Sequence, residues 1–196
     1  EVRARMVVSN ADVKRTFLKL VEEKELPDIF LRRVRNFKIR GSSGKVNIAL
    51  DSLPEFPALP KDSPVYRGDM HFTDSMERME RAYDDWKAGR WSADPFLDMV
   101  IPTTLDPTMA PPGKHFMSCF VQYAPPKVNG RDWTDADRDG FAESVISQIA
   151  EYSPGFRDRI VHMEVRTPRE LEAEVGRTDG NSFQGDPTFD QLLSNR

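Results

Sequence analysis

The stretch HFMSCFVQY at 115–123 limits what this chain can fold into more than any other. In an extended strand it places His115, Met117, Cys119, Val121 and Tyr123 on one face and Phe116, Ser118, Phe120 and Gln122 on the other. Both faces are largely apolar. A strand of this kind is predicted to lie inside a sheet with material packed on each side. Helices at 75–88 and 135–152 are expected to cover one of those sides, and the opposite side is expected to form the floor of a cavity.

The rest of the chain supplies partners for that strand. Val2, Ala4 and Met6 alternate with Arg3 and Arg5 before Val7 and Val8, which predicts a strand over 2–8. Ser9 and Asp12 have capping-box spacing, and Val13, Phe17, Leu20 and Val21 then recur as one helical face. Pro27 interrupts, IFLRRV reads as a short apolar turn, and KVNIAL at 45–50 as a strand after the GSSG turn. Four prolines in LPEFPALPKDSP at 53–64 demand an extended loop. Thr73 or Asp74 is expected to cap a helix buried along Met76, Met79, Tyr83 and Trp86. FLDMVIP at 96–102 and DRIVHMEV at 158–165 read as strands. Thr134 opens a long helix bearing Phe141, Val145, Ile149 and Tyr152, with Trp133 placed to staple onto it. Thr167, Pro168 and Glu170 make a further helix start. Strands interleaved with helices predict an α+β fold, with helices packed on a mixed or mainly antiparallel sheet.

Composition narrows the function classes. Lys and Arg number 28 against 32 Asp and Glu, a net charge of −4, so no nucleic-acid partner is expected. The single cysteine, Cys119, rules out an internal disulfide or a multi-cysteine zinc site and fits a reducing, cytoplasmic setting. No apolar run approaches the ~18 residues of a spanning helix, which leaves at most peripheral contact with a membrane.

The residues alone assemble no catalytic centre. His71, His115 and His162 fall in separate strand-like segments without HxxxH or HExxH spacing, so they are read as surface or sheet histidines and no metal site is expected. GxxxxGK and GxGxxG are both absent. Ser118 and Cys119 sit in mid-strand, without the sharp turn that exposes a nucleophile.

Four stretches, ARMVVSNADVKRTFLKLV, KVNIALDSLPEF, IPTTLDPTMAPPGKHFMSCFVQYAPP and GNSFQGDPTFDQLL, occur in an order that resembles the phytoene dehydrogenase-related flavoproteins. The most specific is TLDPTMAPPGKH, which is similar to that family's turn into a substrate-domain strand. The nearest branch is that of the pyridine nucleotide-disulfide oxidoreductase domain proteins, relatives of carotenoid desaturases and isomerases. The resemblance implies an amine-oxidase-like layout, in which residues 1–196 are a fragment carrying the substrate-binding domain. Residues 1–12 would then continue from a missing FAD-binding domain, the expected partner.

The resemblance also implies roles. Ser9, Asn10 and Ala11 would turn backbone N–H groups toward FAD, or else merely cap the helix. Gln122, Phe183 and Gln184 would line a cavity for an apolar, isoprenoid-like substrate, or else the last two belong to a plain glycine-rich connector. The family commonly has a histidine where Gln184 stands, which weakens any acid–base role there. The implied whole is an FAD-dependent oxidoreductase, while the fragment alone is expected to be inactive, to retain no FAD and to self-associate. The alternative is a non-catalytic lipid-binding or protein-interaction module.

Overall fold

The computed structural model describes residues 3–192. Four strands, β1 (Ser43–Leu50), β2 (Phe96–Val100), β3 (His115–Gln122) and β4 (Ile160–Arg166), form one sheet in the order β2-β3-β1-β4. Every pairing is antiparallel. The expected α+β class holds, and β3 is interior as its two apolar faces required.

One face of the sheet is sealed. Val46, Ile48, Leu97, Met99, Met117, Cys119 and Val121 are all at most 1 % exposed. They pack on Phe141, Val145 and Ile149 of α4 (Asp135–Tyr152). Contact is close enough that a Cβ on Gly44 would come within 2.7 Å of the Phe141 ring. The proline-rich segment and the residues just after it cover the remainder, through Phe56, Tyr66 and Met70. They therefore close the core.

Helix starts follow local chemistry. Thr134 and Asp137 form a reciprocal capping box at α4, and Thr167 with Glu170 forms another at α5 (Pro168–Val175). Trp133 packs edge-on against Phe141 with centroids 5.7 Å apart. The TLDPTMAPPGKH turn is built by Asp106, whose carboxylate accepts from the Thr108 N–H at 3.0 Å, just ahead of β3.

Four expectations need correction. Residues 3–8 form no strand, and Met6, Val7 and Val8 are exposed; neither sheet edge pairs with them, and an extended segment without a ladder gains no stability. Val2 lies outside the described residues. The first helix is capped by Asp12, and comprises only α1 (Val13–Arg15) followed by a π turn at Thr16–Leu20. IFLRRV belongs to a helix, α2 (Asp28–Asn36), that buries Leu31 and Val34. Finally, α3 (Met76–Lys87) is capped by Ser75 and buries Ala82 and Trp86, leaving Met76 83 % exposed. It lies at the flank of the sheet, where Trp86 Nε1 donates to Gly41 O at 2.8 Å and Arg78 pairs with Asp94. A helix at a flank needs only a narrow apolar stripe.

Candidate functional site

Asn181 and Asp186 build the site by fastening a C-terminal loop to the segment that enters β1. Asn181 Nδ2 donates to Arg40 O at 2.7 Å, while its Oδ1 accepts from the Phe183 N–H at 2.7 Å. Asp186 accepts from the Arg40 N–H at 2.9 Å and from Arg40 Nε at 2.5 Å. Gln191 closes the far end by donating to Lys38 O at 3.1 Å. Gly180 makes the tight approach possible: its φ is +67° and an added Cβ would lie 2.4 Å from the Pro168 backbone.

The fastened loop borders several clefts. A cleft of about 410 Å³ is walled by Tyr83, Trp86, Gln122, Tyr123, Arg40 and Phe183. Tyr83 and Trp86 stack with centroids 5.3 Å apart, and the Arg40 guanidinium lies 5.0 Å from the Trp86 ring centre. Burial, aided by Tyr83 and Glu80, pushes the Tyr123 phenol up. The second cleft, about 450 Å³, is lined by Asn10, Ala11, Arg15, Lys19, Arg177 and Gln184. Gln122 and Phe183 thus share one cleft and Asn10, Ala11 and Gln184 another, while Phe183 and Gln184 meet in a third of about 580 Å³ beside Phe30 and Phe37.

Beside the first cleft lies the sheet's unsealed face. Strand alternation puts Phe96, Asp98 and Val100, Phe116, Ser118 and Phe120, and Lys45, Asn47 and Ala49 on this side, all partly exposed. Phe183 meets Phe120 edge-on at 6.3 Å. A groove of about 460 Å³ runs here between Phe120 and the α5 residues Leu171 and Val175, rimmed by Lys45, Glu164 and Arg166. Phe120 and Phe96 escaped the sequence reading as site residues, although the two-faced apolarity of 115–123 carried the signal.

The corner at 9–11 can be tested as a cofactor cradle. Ser9 Oγ is within 2.8 Å of Thr16 Oγ1 and accepts from the Ala11 N–H at 3.4 Å. The helix start beyond is occupied by Asp12, which accepts from the N–H groups of Arg15 at 2.9 Å and Thr178 at 3.0 Å. Burial pushes the Asp12 carboxyl up, but these N–H donors outweigh it and hold the group ionised below its usual range. A carboxylate fixed at the start of α1 disfavours a phosphate at that helix start. The same cleft is also lined by the cationic side chains Arg15, Lys19 and Arg177.

Cys119 is fully buried, and burial pushes its thiol up to about 12, which removes it as a nucleophile. No helix among the described residues is long and apolar enough to cross a membrane.

No protein-family model matches the chain. Curated relatives do. The chain is 35% identical over 199 residues to pyridine nucleotide-disulfide oxidoreductase domain-containing protein 2 of Mus musculus, covering 98% of this chain and 34% of that protein. The Rattus norvegicus protein of the same name is 34% identical over 200 residues, with the same coverage. A chloroplastic prolycopene isomerase of Arabidopsis thaliana is 26% identical over 190 residues, 92% of this chain and 28% of that one. These are the branch and the carotenoid relatives to which TLDPTMAPPGKH pointed, so the resemblance read from the sequence holds. The chain spans about a third of the length of these relatives.

Proposed function

We propose, from this kinship with an oxidoreductase-domain protein and with carotenoid isomerases, that the chain supplies the substrate-facing part of an FAD-dependent oxidoreductase of the phytoene dehydrogenase-related kind, with an amine-oxidase-like layout. One observation carries the reading. A sheet sealed on one side leaves Phe96, Val100, Phe116 and Phe120 partly exposed on the other, where Phe120 lines a groove. Partly exposed aromatic side chains gain by covering an apolar ligand, at about 25 cal/mol per Å² buried. An isoprenoid-like chain is the class of substrate this floor would accept.

The residues here would bind and orient, and would keep water from the reacting bond. Phe120 and Phe183 offer edge and face to an extended polyene, while Gln122 supplies a polar boundary at the cleft. Lys45, Glu164 and Arg166 mark the groove's wet rim. A bound flavin would supply the redox chemistry, and its cradle would come from chain beyond the described residues. The non-catalytic lipid-binding reading uses the same face without the flavin.

The test uses the whole protein containing this chain. Anaerobic addition of an isoprenoid polyene should bleach the flavin absorbance, and Phe120→Asp should slow bleaching at least ~10-fold with the resting spectrum unchanged. Polyene binding without bleaching would instead support the non-catalytic module.

A further inference from the structure

We propose that Asp69, His71 and Asp98 form a binding site for a divalent cation of the zinc class. The observation is the way two segments far apart in sequence are zipped together. Met70 and Met99 exchange backbone hydrogen bonds, 2.8 Å from Met70 N to Met99 O and 3.0 Å in return. Both methionine side chains are buried in the core. Alternation therefore sends Asp69 and His71, which flank Met70, to the opposite side, with Asp98 across from His71.

The donor atoms are close neighbours, with the two carboxylates at different nitrogens of the His71 ring and the Leu97 carbonyl oxygen 3.3 Å from Nδ1. His71 Nδ1 is 2.7 Å from Asp98 Oδ1, and His71 Nε2 is 3.9 Å from Asp69 Oδ2. One donor atom from each of the three residues can be chosen so that all lie within 4.8 Å of one another. Nitrogen and oxygen ligands sit about 2.0–2.2 Å from zinc, so two of them on one ion stand roughly 3–4 Å apart. One ion takes only one ring nitrogen, so binding requires side-chain rotation that brings both carboxylates to the same nitrogen. The imidazole is already oriented, stacked on Phe96 with centroids 5.3 Å apart and planes 16° from parallel.

The donor set selects the metal. One imidazole with two carboxylates suits Zn²⁺, Co²⁺ or Ni²⁺, whereas Mg²⁺ and Ca²⁺ favour oxygen alone. The DMH order of 69–71 carried half of this signal in the sequence; the third donor, 27 residues further on at Asp98, is visible only once the bridge forms. The proposal stands apart from the oxidoreductase reading.

Calorimetric titration of the chain with Zn²⁺ tests it, with Mg²⁺ for comparison. One equivalent of Zn²⁺ should bind, His71→Ala should weaken binding at least ~10-fold, and Asp69→Asn should also weaken it. His115→Ala and His162→Ala should leave it unchanged. In the unaltered chain, Co²⁺ should broaden the NMR signals of the His71 ring before those of the other histidines. The absence of saturable Zn²⁺ binding, binding that survives His71→Ala, or equal broadening of all three rings would overturn the proposal.

Discussion

The side-chain amide of Gln184 donates to the backbone carbonyl of Asn10 across 3.3 Å, joining residues 174 positions apart in sequence. The N-terminal corner and the C-terminal loop are therefore one structural unit. Asp12 reinforces it by accepting from the Thr178 N–H at 3.0 Å.

The Gln184 bond is exposed, so its loss should be felt locally. Gln184→Ala is expected to cost about 0.5 kcal/mol and to speed amide hydrogen exchange at residues 9–16, with β1 and β3 unaffected. Unchanged exchange at the corner would mean that Asp12 alone holds it.

Gly180 should tolerate no side chain. Its φ of +67° is combined with a Cβ position 2.4 Å from the Pro168 backbone, whereas Gly113, at φ +76°, has nothing within 4 Å. Gly113→Ala should cost about 1 kcal/mol for the left-handed backbone alone, and Gly180→Ala at least about 2 kcal/mol because a clash is added. Chemical denaturation of the pair separates the two terms.

Asp137 should govern the acid limb of stability. Arg131 donates to its carboxylate at 2.5 and 2.9 Å, and the Thr134 N–H and hydroxyl at 2.8 and 2.6 Å. The Arg131 guanidinium, then Thr134, hold the carboxyl well below the usual range. A depressed folded value means that the stabilisation is present above the unfolded value of about 3.9 and is lost as pH falls toward the folded one. Asp137→Asn should cost about 1–2 kcal/mol at neutral pH, and the gap between the two proteins should narrow below about pH 4. A gap constant down to pH 2 would contradict this.

Cys119 should be inert until the sheet opens. Its side chain is fully buried and its thiol pushed up to about 12 by burial, so a thiol reagent at pH 8 should label it only at the rate of unfolding. Rapid labelling of the native chain would show that the sealed face breathes.

How much of this was legible varies with how local the cause is. β3 was readable because its own residues declare both faces, and Thr134 and Thr167 because a capping box lies within four residues. The helix at Asp28–Asn36 hides behind Pro27, because a proline marks a break as readily as the position before a first turn. The stripe on α3 was misplaced because Met79 and Met76 look like core until the helix is known to sit at a flank. Gln184 facing Asn10, and Asp98 facing His71, depend on tertiary pairing that no local pattern encodes.

The central claim, that the uncovered sheet face receives an apolar ligand, is tested most directly by fluorescence titration of this chain with cis-parinaric acid, a polyene whose emission rises in apolar surroundings. The account predicts saturable binding that weakens at least ~10-fold in Phe116→Asp and in Phe120→Asp, and stays unchanged in Met76→Asp, where the replaced side chain is 83 % exposed on α3. No saturable binding, or binding equally strong in all three variants, would contradict it.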